Sequence, residues 1–190
     1  ARVLVSRTRN RFADNLKTTE IAGSIGGDKV KTKSQIIGGN FEGEITLVCN
    51  HYKQLGFASI DKTPEPVKQI GKMDERGRFT ACYTKKAQPD FKGVIWNGRA
   101  ICFEAKATED KSFSLKNIST EQSMYLERFA RCGGIAFVLI SISGNVYILT
   151  AKRLVDMLND CKRSVSKKDF SENEIVLRKG GFVDFLNVLK

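Results

Sequence analysis

The spacing of hydrophobic positions predicts four helices along the chain. Phe41, Ile45, Val48 and Tyr52 recur at intervals that place them on one helix face, and Asn40 before them is a favourable N-cap residue. The first helix is therefore predicted to begin at Asn40 and to end near Tyr52. Further helices are predicted from Ser119 to the glycine pair at 133 and 134, over residues 151–162, and over residues 182–189.

Apolar runs between these helices predict strands. The run 135–142 is apolar throughout, which is typical of a strand buried on both faces of a sheet. A hairpin is predicted over residues 90–106, where Asn97-Gly98 favours a type I′ turn, and Trp96 at its tip is interpreted as a core or interface residue. Further strands are predicted over residues 57–60, 79–84 and 145–150. The pattern as a whole predicts an α/β fold with a mixed sheet flanked by helices.

Segment 61–85 interrupts this alternation, and its residues 62–78 do not resemble a compact element. The prolines at 64 and 66 exclude a helix interior, because each biases its predecessor away from helical backbone. The segment is predicted to protrude between two strands as a basic excursion, and a solvated loop without a specific role is the alternative. The basic side chains that it offers to DNA are Lys62, Lys68, Lys72, Arg76 and Arg78.

Residues 1–38 form a second basic segment, which is predicted to be a partly mobile arm ahead of a single domain over residues 39–190. Its glycines interrupt any long element. Arg7, Arg9 and Arg11 are its candidate DNA contacts. A solvated tail without a role is the alternative interpretation of the arm.

Charge and cysteine content narrow the class of protein. The 190 residues include 32 Lys and Arg against 21 Asp and Glu, a formal charge of +11, and a strongly basic domain usually binds a polyanion such as nucleic acid. A ribosomal or merely basic soluble protein is the alternative. The five cysteines form no C-x-x-C pair and His51 is the single histidine, which argues against a zinc site. No apolar run is long enough to span a bilayer, and a cytoplasmic protein without membrane contact is expected.

Three residues of the predicted hairpin carry the candidate chemistry. Glu104 and Lys106 are two positions apart on one strand and therefore share a face, with Ala105 turned away. The predicted turn brings Asp90, at the start of the other strand, alongside them. Metal-assisted phosphodiester hydrolysis requires such a set, because carboxylates bind Mg²⁺ or Mn²⁺ while an amine orients water and offsets charge on phosphorus.

A D…ExK pattern alone is a weak signal, because Asp, Glu and Lys are common on protein surfaces. Here Glu104 follows the apolar run 100–103, where an acid without a ligand is rarely retained. Glu42 is a further candidate for the metal shell, and Gln122 for a contact to phosphate or water. The alternative for Glu42 is an acid that complements the dipole of its helix, and the alternative for Gln122 is a capping-box partner of Ser119.

Several ordered blocks resemble the RecU-type Holliday junction resolvases of the PD-(D/E)xK nuclease superfamily. The resemblance covers roughly residues 38–155, and blocks in order at plausible distances are far more specific than the ExK pattern alone. The blocks are Gly39-Asn40-Phe41-Glu42, Ala58–Pro66, Pro89–Val94, Ile101–Thr108, Glu121-Gln122 and Gly133–Ile140.

This resemblance implies a restriction-endonuclease-like fold, a homodimer, and Mg²⁺- or Mn²⁺-dependent nicking of four-way DNA junctions. Segment 61–85 then corresponds to the family's stalk, which enters the centre of the junction. A recombinase is a candidate protein partner. The family's active-site positions fall on Glu42, Asp90, Glu104, Lys106 and Gln122, and its metal positions on Asp90, Glu104 and Ala105.

Two residues depart from the family pattern. Glu65 stands where the family usually has the Thr of K-x-P-T-P, and Pro89 stands where it usually has Thr before the catalytic Asp. Such divergence suits a phage-encoded or plasmid-borne member. Two alternatives remain open: another PD-(D/E)xK restriction or repair nuclease, and a non-catalytic DNA-binding recombination protein, against which the intact acid pair and lysine argue.

Overall fold

The computed structural model describes residues 33–83 and 88–189. The helices are α1 (Lys33–Gln54), α2 (Thr120–Arg131) and α3 (Ala151–Asn159). The strands are β1 (Ala58–Lys62), β2 (Val67–Ile70), β3 (Thr80–Tyr83), β4 (Phe91–Ile95), β5 (Ala100–Thr108), β6 (Ser112–Ser114), β7 (Ile135–Ile142), β8 (Asn145–Thr150), β9 (Ser164–Ser166), β10 (Ile175–Val176), β11 (Arg178–Lys179) and β12 (Phe182–Val183). None of the described helices combines the length and hydropathy needed to cross a membrane.

Six strands form one mixed sheet in the order β1-β4-β5-β7-β8-β10. Strand β4 is antiparallel to β1 and β5, whereas β5 and β7 are parallel. A parallel pair needs a crossover connection, and the segment with β6 and α2 provides it. Helix α1 covers one face of the sheet and α2 with α3 covers the other, which confirms the predicted α/β fold.

Alternation along β5 assigns its side chains to the two faces. Phe103 faces α1 and stacks between Phe91 and Phe137, at ring-centroid distances of 4.9 and 4.8 Å. Cys102 faces the opposite way and is buried in the core beneath α2. Glu104 has the same parity as Cys102, so its side chain lies on the α2 side of the sheet.

Helix α1 begins earlier than the hydrophobic pattern predicts. Its predicted inward face is confirmed, since Phe41, Ile45, Val48 and Tyr52 are all buried. Asn40 is not an N-cap, because the helix is continuous from Lys33. The glycines at 38 and 39 cost about 1 kcal/mol each relative to Ala, and packing of the apolar face against the sheet overrides that cost. The predicted arm over 1–38 overlaps this helix, and residues 1–32 lie outside the described part.

The hairpin of β4 and β5 is confirmed, but its predicted turn type is wrong. A type I′ turn needs positive φ at both central residues, and of Asn97 and Gly98 only Gly98 has it, at 78°. Gly98 N–H donates to Ile95 O, and Ile95 N–H donates to Arg99 O, which defines a three-residue loop with glycine at the left-handed position. Trp96 in this loop is 77% exposed, so it is not a core residue.

Segment 61–85 has more regular structure than predicted. Strands β2 and β3 pair as an antiparallel ribbon, with Val67 opposite Tyr83 and Ile70 opposite Thr80. The prolines precede this ribbon, so they do not interfere with its pairing. Every residue from 64 to 82 is exposed, which agrees with a protruding excursion, and residues 84–87 lie outside the described part. We call β2, β3 and their connection the stalk ribbon.

The helix predicted over residues 182–189 is absent. Strand β12 and a single 3₁₀ turn at Phe185–Val188 occupy this segment. Val183 and Phe185 are fully buried against α1, and Tyr52 Oη donates to the Asp184 carboxylate at 2.9 Å. The apolar spacing therefore reflects the contacts of a largely extended segment with α1.

Candidate active site

The β4–β5 hairpin brings the three predicted catalytic residues together. Lys106 Nζ lies 2.7 Å from Glu104 Oε2 and 3.2 Å from Asp90 Oδ2. Asp90 directly precedes β4, and its Oδ2 also accepts a hydrogen bond from the Ala105 N–H at 3.0 Å. Ala105 itself is buried on the α1 side. The sheet thus presents two acids and one amine as a single cluster on its α2 side.

Both acids of the cluster are buried. Glu104 is 0% exposed and Asp90 2%, while the Lys106 side chain is 20% exposed and closes the cluster toward solvent. Glu104 Oε1 is buried without a hydrogen-bond partner in the described part of the chain. An unpartnered buried carboxylate oxygen is costly, so this atom is a candidate ligand-binding position.

Burial and neighbouring charge set the ionisation of the cluster. Burial raises the pKa of Glu104 to about 7, and the Asp90 carboxylate adds to this rise while Lys106 opposes it. Burial alone would lower the pKa of Lys106, but the Glu104 and Asp90 carboxylates outweigh it and raise that pKa. Lys106 is consequently a cation at neutral pH and acts as a hydrogen-bond donor.

Gln122 forms the predicted capping box with Ser119 and also contacts the acid cluster. Its Nε2 donates to Glu104 Oε2 at 2.7 Å. Its Oε1 accepts from the Ser119 N–H at 2.9 Å, while Ser119 Oγ accepts from the Gln122 N–H at 3.2 Å, which is the reciprocal pair of a capping box. The first turn of α2 is therefore tied directly to a candidate catalytic carboxylate.

Glu42 pairs with a residue that the sequence assigned to DNA contact. Its Oε2 lies 2.8 Å from Lys62 Nζ. This hydrogen bond raises the pKa of Lys62 against the effect of burial, and the charge of Asp90 raises it further. Sequence reasoning missed the pair, although Ile60 and Lys62 share a strand face and Ile60 is buried against α1. The period of β1 therefore placed Lys62 on the α1 side of the sheet, but it did not specify Glu42 as the partner.

The donor set suits a hard divalent cation. Asp90 and Glu104 supply carboxylate oxygens, and one of them is the unpartnered Glu104 Oε1. The described residues gather no group of three or more His, Cys, Asp or Glu, and all five cysteines are free. Mg²⁺ needs no such group, because it usually keeps several waters and binds one or two carboxylates together with substrate phosphates.

The candidate DNA-contacting residues differ in how far other side chains engage them. Arg78 Nε lies 2.9 Å from Asp74 Oδ2 and helps to shape the ribbon tip. Lys68, Lys72 and Arg76 are exposed and form no ion pair with another described residue. Arg7, Arg9 and Arg11 lie outside the described residues. The stalk ribbon thus offers three unengaged cations.

Most of the chain matches other proteins in sequence. A family model described as Recombination protein U matches residues 37–190. A Holliday junction resolvase RecU from Geobacillus sp. (strain WCH70) is 36% identical over 146 residues, which cover 73% of this chain and 71% of that protein. Another from Bacillus pumilus (strain SAFR-032) is 32% identical over 166 residues, which cover 80% of each.

A solved structure also resembles the chain. Hjc of Archaeoglobus fulgidus, a Holliday junction resolvase from an archaeal hyperthermophile, aligns with a TM-score of 0.43 and 14% identity, over 70% of this chain and 91% of that one. That similarity is too low to transfer any feature of the site. Any inference about the function of the cluster therefore depends on the sequence relatives and on the geometry of the cluster itself.

Proposed function

The chain belongs to the recombination protein U family, and on that premise we propose that it is a metal-dependent endonuclease that cuts four-way DNA junctions. The observation that carries the proposal is the cluster of Asp90, Glu104 and Lys106, in which a buried carboxylate oxygen has no partner among the described residues. The net charge of +11 supports a polyanionic substrate.

The residues that would hold the metal ion are Asp90, Glu104 and the backbone carbonyl of Ala105. The hard oxygen donors and the unpartnered Glu104 Oε1 fit Mg²⁺ or Mn²⁺. A bound ion of this kind lowers the pKa of a coordinated water and offsets charge on the scissile phosphate. Burial of both acids excludes bulk water around these donors and so strengthens their interactions with a ligand.

Lys106 and Gln122 prepare the cluster for a phosphate. Lys106 contacts both acids as a cation, offsets their charge, and offers further N–H donors to a phosphate oxygen that approaches from solvent. Gln122 fixes the orientation of Glu104 from the α2 side. Glu42 acts on the centre through Lys62, whose ammonium group it positions at the base of the stalk ribbon.

The stalk ribbon supports a branched substrate. The chain enters the ribbon from beside the cluster, since the Thr63 N–H, four residues before β2, donates to Asp90 O at 2.8 Å. Its cations Lys68, Lys72 and Arg76 project from an exposed hairpin. A narrow positive ribbon fits the open centre of a four-way junction, where phosphates of several strands converge, whereas linear duplex has no such opening.

We propose further that two copies act together. A four-way junction has two symmetric strands to cut, and one cluster per chain can cut only one at a time, so two-fold symmetry is expected. Sedimentation velocity with and without junction DNA should show a dimer. A species of 21.2 kDa only, even with junction DNA present, would contradict this part of the proposal.

The test of the function is cleavage of a labelled four-way junction, with linear duplex of the same sequence as the control, in Mg²⁺ and in EDTA. Paired symmetric nicks in the junction, present only with the divalent ion, are expected. Equal cleavage of the duplex would indicate a restriction or repair nuclease instead. Junction binding without any cleavage would indicate a non-catalytic DNA-binding protein.

A further inference from the structure

A second strand pair, separate from the stalk ribbon, carries a row of hydroxyl groups. Strands β6 and β9 each have the sequence serine, apolar residue, serine, and they pair antiparallel so that serine lies opposite serine. The apolar residues Phe113 and Val165 are 2% and 0% exposed, so the serines point to the other side of the pair. They are Ser112, Ser114, Ser164 and Ser166.

Exposed cations flank these serines in the sequence. Segments 112–118 and 161–168 contain no Asp or Glu. Lys162 is neutralised by the Asp169 carboxylate. The remaining cations are exposed and form no ion pair or side-chain hydrogen bond within the described part of the chain. They are Lys116, Arg163, Lys167 and Lys168.

Asp169 and Asp110, which flank these strands in the sequence, both accept hydrogen bonds. The Asp169 carboxylate accepts from the Ser166 N–H at 2.7 Å and from Ser166 Oγ at 2.9 Å, in addition to Lys162. Asp110, which precedes β6, accepts from Thr108 Oγ1 at 3.3 Å. Three of the four serine hydroxyls therefore stay available beside the four cations, and we call these seven residues the serine–lysine surface.

The surface is attached to the catalytic hairpin at one end and to the cap of α2 at the other. Strand β5 ends at Thr108, two residues after Lys106, and β6 begins at Ser112. Ser143 Oγ fixes this short connection by donating to the backbone carbonyls of Glu109 and Asp110, both at 3.0 Å. After β6 the chain passes through one 3₁₀ turn to Ser119. The surface thus lies at the same end of the sheet as the catalytic cluster.

From this arrangement we infer that the serine–lysine surface binds phosphates of a duplex DNA arm beside the scissile strand. The inference rests on the proposed nuclease function and adds a binding surface that is separate from the stalk ribbon. Serine hydroxyls together with Lys and Arg are the side chains that contact DNA phosphates without reading sequence. Because a duplex arm is common to junctions and linear DNA, this surface contributes to the binding of both substrates.

The experiment compares two triple variants that lose the same charge. Arg163→Ala/Lys167→Ala/Lys168→Ala removes three cations of the surface. The control, Arg128→Ala/Arg131→Ala/Lys152→Ala, removes three from the last turn of α2 and the first turn of α3. Dissociation constants for a junction and for linear duplex are measured in EDTA at several salt concentrations.

The surface variant should lose affinity for both substrates, and its slope of log affinity against log salt should become shallower by about 2–3. The control should keep the wild-type slope within one unit. Cleavage of the junction at saturating DNA and Mg²⁺ should be unchanged in the control variant, whereas the surface variant should need a higher DNA concentration to reach saturation. An unchanged slope in the surface variant, or an equal change in both variants, overturns the inference.

A conservative variant separates binding from folding. Arg163→Lys/Lys167→Arg/Lys168→Arg keeps the charge and should restore the wild-type slope, and thermal melting of all variants reports on folding. If the conservative variant binds as weakly as the alanine variant at equal thermal stability, charge at these positions is not what binds DNA. Failure of the nuclease proposal has a different signature: a chain that passes these binding tests but cuts no junction with Mg²⁺.

Discussion

Gln122 Nε2 lies 2.7 Å from Glu104 Oε2, while Oε1 of the same side chain accepts from the Ser119 N–H. One residue therefore completes a helix cap and holds a candidate catalytic carboxylate. Ser119 takes part in the cap alone. Substitutions at the two positions should consequently separate the stability of α2 from the activity of the site.

Ser119→Ala should lower the free energy of unfolding by about 1 kcal/mol, because the first turn of α2 loses its cap, and should keep cleavage near wild type. Gln122→Ala should cause a similar loss of stability and should also lower the cleavage rate roughly 10–100-fold, since Glu104 loses its orienting donor. Urea unfolding and single-turnover cleavage measure the two effects. Equal cleavage by both variants would show that the Gln122–Glu104 contact has no catalytic consequence.

Asp90→Asn and Glu104→Gln should abolish cleavage while DNA binding stays equal or tightens, because a proposed metal ligand is lost and negative charge near the phosphate falls. Lys106→Ala should reduce cleavage about 10²–10³-fold through loss of charge stabilisation. The matched control is Asp156→Asn, which neutralises an exposed acid of α3. Near wild-type cleavage by either acid variant would refute the assignment of the catalytic centre.

The stalk ribbon should discriminate between branched and linear DNA. Lys68→Ala/Lys72→Ala/Arg76→Ala should weaken junction binding more than duplex binding and should flatten the salt dependence for the junction by about 2–3 in slope. Arg78 is retained because its bond to Asp74 shapes the ribbon tip. Titrations of the variant with junction and with duplex at several salt concentrations measure both affinities and their salt dependence. Equal losses on both substrates would make the ribbon a general phosphate binder, and no loss would make it a solvated loop.

Asp169 should make stability depend on pH. The hydrogen bond from Lys162, with those from the Ser166 N–H and hydroxyl, lowers the pKa of Asp169 in the folded chain. Its stabilisation is therefore present above the unfolded pKa of about 4 and is lost as pH falls through the lower folded value. Asp169→Asn should cost about 1 kcal/mol at pH 7. The difference from wild type should shrink in urea titrations below pH 4, and a constant difference would contradict the ion-pair explanation.

The catalytic cluster could be predicted because it depends on local geometry. The period of a strand places Glu104 and Lys106 on one face. The position of Asp90 depends on the register of the hairpin: the observed three-residue loop pairs Phe91 with Phe103 and so brings Asp90 level with Glu104, whereas the predicted two-residue turn would have placed it opposite Ala105. The capping box of Ser119 and Gln122 was equally local, since both residues lie within one helical turn.

Contacts between distant segments could not be predicted in this way. The pair of Glu42 and Lys62 depends on how α1 crosses β1, and no local period specifies that crossing. The segment 182–189 has helical spacing of apolar residues, but burial of Val183 and Phe185 against α1 outweighs its helical preference. Helix propensity predicts the local structure only weakly where tertiary packing determines the conformation of the backbone.

The parallel pairing of β5 with β7 has a consequence for biogenesis. Glu104 and Gln122 can meet only after the crossover through β6 and α2 has docked on the sheet. Parallel pairing of β5 with β7 is expected to form late in folding, because the entropy cost of closing the loop between the strands comes before the free energy gained from their pairing. We therefore expect that a nascent chain with Asp90, Glu104 and Lys106 but without β7 lacks the contact between Gln122 and Glu104, and that the centre is complete only in the fully folded chain.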